Sequence, residues 1–357
     1  MDRSQYPALT NSGAIHLDAS AVFPLHEDVI AAANTSMQHL LGAPGKARYE
    51  SATRVAAEEA AIRQHIADFI HAEEEEIFLV ASASDAARRI AELWATKATV
   101  LYSPEDHSRI VFEITQRSHK TVPLAYKANG EYDYESVYGS HADIVVLSHV
   151  HHIYGSDNNL AKIRATLPDA KIIVDASQSA SRIALDVTKM GCDALFFSSQ
   201  KLGGVAGVGV LYIAKKHHLQ SDLKYLEPNT IPMIPLISLD AAMTVLETTT
   251  IVKINRRLAK LTASLIGELQ RNPLIEFTKG PAFPDCRCYG HGIVSFSIDG
   301  YSSQDVAMIL ADSNIQVRSG DHCVDPSATS QNVTRISMHM FTTDEEIKKL
   351  TSILINL

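Results

Sequence analysis

The sequence predicts an α/β protein: a mostly parallel sheet flanked by helices, followed by a smaller α+β unit. Three observations carry this. Short β-rich runs alternate with helical stretches from about residue 50 to 215, the pattern of parallel strands joined by crossover helices. Most of those runs are continuously apolar, as strands covered on both faces are. After Ile213 the pattern changes to a proline-bearing loop, a long amphipathic stretch and alternating runs.

Taken in order, Val55, Ile62, Ile66 and Phe69 are spaced 7, 4 and 3 and predict an amphipathic helix. Glu73-Glu74-Glu75-Glu76 reads as a solvated connection. Strands are predicted at 77–81, 99–103, 121–126, 144–149, 171–177, 194–198 and 207–213. Residues 226–235 carry three prolines and read as a loop. One long helix is predicted over 238–270, with Ile254, Leu258, Leu261, Leu265 and Leu269 on one stripe. Beyond it, strands at 292–298, 314–318 and 334–339 alternate with helices at 303–312 and 343–354. The predicted organisation is an arm, 1–20, packing with the small domain, a large domain, 21–237, and a small domain, 238–357.

Composition bounds the function. The chain has 357 residues, 46% hydrophobic and 20% charged, which excludes wholesale disorder. With 32 basic against 41 acidic residues the net charge is −9, no footprint for nucleic acid. No apolar run reaches the roughly 18 residues of a membrane helix, and no signal peptide is visible behind Met1-Asp2-Arg3-Ser4-Gln5. Four cysteines fit a reducing compartment. The expectation is a soluble, cytoplasmic protein without membrane or nucleic-acid partners. Cys286 and Cys288 have metal-like spacing but no second ligand pair nearby, so no metal is expected. The histidine-dense run His149-Val150-His151-His152 reads as a strand end.

The chemistry gathers at two strand ends. One run closes on Asp175, followed by Gln178; another closes on Ser198-Ser199-Gln200-Lys201, with glycines after it. Ligands of open α/β sheets sit at strand C-termini. There an aspartate can hold a cationic nitrogen, and a lysine can form an imine with an aldehyde. Taken singly, each also has an ordinary reading as a capping acid or a surface lysine.

Together these residues resemble the fold type I, class V enzymes that depend on pyridoxal 5'-phosphate, close to the cysteine desulfurase and selenocysteine lyase group (the group II desulfurases). The resemblance runs from His16-Leu17-Asp18-Ala19-Ser20 to Thr342-Thr343-Asp344-Glu345-Glu346. It implies a seven-stranded, mostly parallel sheet in the large domain. It implies Lys201 as the Schiff-base lysine, Asp175 against the pyridinium nitrogen and Gln178 near the phenolic oxygen. Ser84, on a strand-to-helix turn, and Ser198 match phosphate-holding positions. His107, in Glu105-Asp106-His107, is similar to the histidine that stacks on the cofactor, after a shift of one residue. Arg318-Ser319-Gly320-Asp321-His322-Cys323 resembles the segment bearing the catalytic cysteine. Cys323 is then the sulfur-accepting thiolate, and His322 or Arg318 the neighbours that would lower its pKa. Arg335 matches the arginine that clamps the substrate carboxylate, with Arg318 beside it. The resemblance further implies L-cysteine desulfuration to L-alanine, a homodimer, and a protein that accepts the sulfur.

Three departures stand out. Gln200 precedes the lysine where the group has His, as in aminotransferases of the alanine–glyoxylate kind. His152 stands where the group has Asn beside the cofactor oxygen. The loop around Thr230, nearest counterpart of a residue reaching the neighbouring subunit's phosphate, is short. The alternatives are therefore a class V aminotransferase, another pyridoxal-phosphate lyase or epimerase, or a non-catalytic binding protein.

Overall fold

The computed structural model describes residues 2–42, 47–220, 223–283, 290–325 and 332–357. The arm carries α1 (Pro7–Ser12) and a two-residue strand, β1 (Ile15–His16), and leads into α2 (Glu27–His39) and α3 (Glu50–Ile70). The large sheet and its helices follow as β2 (Ile77–Val80), α4 (Ala83–Ile90), β3 (Thr99–Tyr102), α5 (Ser108–Thr115), β4 (Lys120–Pro123), β5 (Ile144–Ser148), α6 (Leu160–Thr166), β6 (Lys171–Asp175), α7 (Val187–Met190), β7 (Ala194–Ser198) and β8 (Gly209–Ile213). Two long helices come next, α8 (Met233–Thr249) and α9 (Ile251–Leu269). The small unit holds β9 (Ile275–Phe277), β10 (Ile293–Ile298), α10 (Ser303–Asp312), β11 (Ile315–Gln316), β12 (Arg318–Gly320), β13 (Val333–Ser337) and α11 (Asp344–Leu354).

The seven predicted strands of the large unit form one sheet in the order β2-β8-β7-β6-β5-β3-β4. Pairs from β7 to β4 are parallel; β8 alone runs antiparallel to both neighbours. The apolar runs are explained by burial on two faces. In β6, Ile172 and Val174 enter one core, and Ile173 enters the core on the other side. Each such side chain contributes about 1.5–3 kcal/mol of hydrophobic free energy. The small unit packs its own core, including Leu261, Leu265, Phe296 and Leu350, around a four-stranded sheet, β12-β13-β10-β9.

The long helix predicted over 238–270 is two helices, and the chain bends by 73° between them. Thr250 sits at the break with φ 66. Three successive threonines, Thr248 to Thr250, favour helix poorly, because a β-branched side chain crowds the preceding turn. The first helix starts at Met233, inside the predicted loop: Pro235 falls in its first turn, where a missing N–H costs nothing. The strand predicted over 314–318 is split. Its first part, β11, pairs in parallel with β1 of the arm, Ile15 opposite Ile315. Its second part, β12, belongs to the four-stranded sheet. Among the described residues no single helix is long and apolar enough to cross a membrane.

Candidate active site

The C-terminal ends of β5, β6 and β7 open on one cavity of about 220 Å³. It is closed from one side by the turn before α4, from another by β12, β13 and the loop between them, and from a third by the arm. Eleven of the twelve sequence-derived site residues line it: Ser84, His107, His152, Asp175, Gln178, Ser198, Gln200, Lys201, Arg318, Cys323 and Arg335. Thr230 does not. It stands exposed on the loop before α8, so this chain's own cavity receives nothing from it.

Lys201 follows β7 in a short 3-10 turn. Its Nζ donates to the Ser20 carbonyl and, at 3.3 Å, to the Ala21 carbonyl. Burial, with the Arg335 charge adding to it, pulls its pKa down to about 8. Near-neutral water therefore leaves a sizeable fraction as free amine. Asp175 closes β6, and one of its oxygens accepts the Ser177 N–H at 2.8 Å. Gln178 Nε2 donates to the Ser20 carbonyl, 2.9 Å.

The serines of the turn before α4 have different tasks. Ser82 is the N-cap, its Oγ accepting from Asp85 N at 3.1 Å, whereas Ser84 faces the cavity. Gly209 lets this turn sit so low on the sheet: a Cβ there would come within 2.9 Å of the Ser82 backbone and 3.0 Å of the Phe197 carbonyl. The N-terminal end of α4 is thus brought beside Ser198, which closes β7 next to Gly209. Ser84 and Ser198 have no side-chain partner among the described residues, and that end of the helix favours an anion.

His107 is the N-cap residue of α5 but does not cap it with its side chain. Its neighbour Asp106 turns away and accepts from the hydroxyls of Tyr126, 2.8 Å, and Tyr132, 2.7 Å. Burial pushes that carboxyl up to about 7. His107 and His152 lie with ring centroids 5.5 Å apart, and burial lowers both pKa values, so both are neutral. His152 Nε2 donates to the His322 carbonyl at 3.0 Å, and Arg335 Nη1 to the His152 carbonyl at 3.0 Å.

Cys323 is exposed at the rim. His322 and Cys323 both have left-handed backbones, φ 52 and 62, a strained pair for residues other than glycine. The loop is pinned to the start of α5: Ser108 N donates to the Cys323 carbonyl at 2.7 Å, and Asp325 N to the Pro104 carbonyl at 3.2 Å. His322 does not supply the positive charge expected of it. It is buried, its pKa is down at about 4, and its Nε2 is spent on the Val333 carbonyl. Arg318 pairs with Asp18.

These residues fit pyridoxal phosphate. An acid and a near-neutral lysine flank the cavity, and two unpartnered serines stand by a helix N-terminus. Among the lining residues, His107 Nδ1, His152 Nδ1, His322 Nδ1 and Arg335 Nε are buried with no partner, polar atoms of the kind a bound polar group satisfies. Sequence reasoning assigned no role to Asp18, Ser20 or Ala21. The one signal was an acid inside the apolar run Leu17-Asp18-Ala19. Cys286 and Cys288 lie outside the described residues.

Comparison with known proteins gives the same class. The aminotransferase class-V family matches residues 15–350, and the chain belongs to that family, whose members use pyridoxal phosphate; within it the chain is cysteine desulfurase-like. It is 26% identical to a cysteine desulfurase from Cronobacter sakazakii over 99% of this chain and 97% of that one. It is 28% identical to a probable cysteine desulfurase from Halalkalibacterium halodurans, over 87% and 82%. Its fold is that of the cysteine desulfurase of Thermococcus onnurineus NA1 in its apo structure: TM-score 0.89, 23% identity, covering 99% and 96% of the two chains.

Proposed function

We propose that this protein is a pyridoxal-phosphate-dependent cysteine desulfurase that converts L-cysteine to L-alanine and passes the sulfur to Cys323. The observation that carries the reading is that Lys201, Asp175, Arg335 and Cys323, from four separate parts of the chain, line one cavity.

When bound, the cofactor supplies a cationic conjugated ring into which the electrons of a substrate Cα–H bond can drain. Asp175 would keep the ring nitrogen protonated. Ser84, Ser198 and the first turn of α4 would hold the phosphate. His107 would lie against the ring. Arg335, with a buried and unpartnered Nε, would orient the substrate carboxylate. Lys201 Nζ, poised near pH 8, can take the Cα proton and return one. Cys323 Sγ, as thiolate, would form a bond to the substrate sulfur while the Cβ–S bond breaks, its electron pair going to Cβ and then to a proton. Exposure of Cys323 at the rim would let the thiol of an acceptor protein collect the sulfur.

The test is alanine release from L-cysteine by cofactor-loaded protein with a thiol reductant. Cys323→Ala is expected to retain under about 1% of the parent rate, in line with loss of a covalent nucleophile. Gln200 keeps an aminotransferase as the second reading. Unchanged turnover of amino acids in Cys323→Ala, together with none in Lys201→Ala, would select it.

A further inference from the structure

Arg318 and Arg335 stand directly opposite one another on β12 and β13, a register in which like charges repel. One carboxylate lies between them. Asp18 Oδ1 is 2.9 Å from Arg335 Nη2, and Asp18 Oδ2 is 3.1 Å from both Nε and Nη2 of Arg318. Among the described residues no other acid pairs with either arginine. Asp18 cannot drift off as part of a loose tail. The residues on both sides of it are bonded to β13, Ser337 N to the Leu17 carbonyl at 2.7 Å and Ala19 N to the Ser337 carbonyl at 3.1 Å.

Both arginines line the cavity, and Asp18 is not among its lining residues. Of the other formally charged residues of the lining, Asp175 would face the cofactor's ring nitrogen and Lys201 would carry the imine, so neither is left to balance the arginines. Two guanidiniums against one carboxylate therefore leave one positive charge. Arg335 is 3% exposed, so that charge is poorly screened and favours one further anion.

We propose that Asp18 is the positioning residue that sets substrate selectivity: by tying Arg318 to Arg335 and cancelling one of their charges, it fits the pair to an amino acid with a single carboxylate and disfavours one whose side chain is also anionic. This rests on the reading of the cavity as an amino-acid site. A second anionic group would meet a pair already neutralised, with Asp18 to repel it.

The experiment titrates cofactor-loaded protein with L-alanine and with L-aspartate, following the visible absorption of the bound cofactor. The parent is expected to bind L-alanine more tightly. Asp18→Asn is expected to move the ratio of affinities towards L-aspartate by about tenfold or more, the scale of close charge couplings, and Asp18→Glu to restore it. An unshifted ratio in folded Asp18→Asn overturns the proposal. Should that variant not fold, Asp18→Ser is read by the same ratio, and an unshifted ratio in the folded variant overturns the proposal. Absorption that responds to neither amino acid in the parent defeats the amino-acid reading itself. A response to L-alanine with no shift in the ratio removes only the role of Asp18.

Discussion

Lys201 shows how the site is tuned by residues remote in sequence. Its amine is held by carbonyls of the arm and depressed by burial and by Arg335. At pH 8 about half of it is free base, against under about 1% for an ordinary lysine near 10.4. The rate at which unloaded protein takes up pyridoxal phosphate, read by absorbance, should rise with pH and level off above about 8. Arg335→Met should move that inflection upward, since it removes a neighbouring positive charge. An inflection near 10 in the parent would overturn the account. The residues lining the cavity were largely legible because each sits in a local run that announces it: an acid at a strand end, a lysine before glycines, a cysteine in a polar loop. Asp18 and Ser20 were not, because their roles depend on contacts 300 or more residues away for Asp18 and 158 and 181 residues away for Ser20. The sequence names His322 or Arg318 as a neighbour that would lower the Cys323 pKa; burial, invisible in the sequence, holds the pKa of His322 itself down at about 4.

At the scale of elements, the apolar runs of the large sheet located every strand to within a few residues. Period and composition speak clearly when both faces are buried. They failed where a single backbone angle decides. Nothing in the leucine stripe of α9 announces the turn at Thr250, for the stripe continues regardless of what precedes it. Thr250 is exposed, its side chain caps nothing, and its φ is 66. Relief of strain of about 1–3 kcal/mol outweighs the entropy cost of glycine, about 0.5–1 kcal/mol. Thr250→Gly should therefore stabilise the protein by about 1 kcal/mol in urea unfolding, with alanine release unchanged. A destabilised variant would mean that the bend is held by packing and not by this residue.

For the whole molecule, we propose that the working form is a homodimer in which Thr230 serves the neighbouring subunit's phosphate site. Four of the eleven large apolar side chains exposed among the described residues fall between residues 22 and 49, Val22, Met37, Leu41 and Tyr49, and a subunit contact covers surface of that sort. Sedimentation should give about twice the mass of one chain, and Thr230→Ala should weaken cofactor retention. A monomer that loads the cofactor fully would refute this. The pairing of β1 with β11 carries a consequence for biosynthesis. Ile15 meets Ile315, and Asp18 meets arginines further on still. A ribosome makes the chain from its amino end, and domains fold as they emerge. The large sheet can therefore assemble while the first twenty residues still lack their partners. Lys201 and Asp175 are in place early, yet the carbonyls that steady Lys201 are fixed only once residues 315–337 have emerged. The nascent chain thus has its lysine before it has a finished site, and a truncated product released early would carry the one without the other.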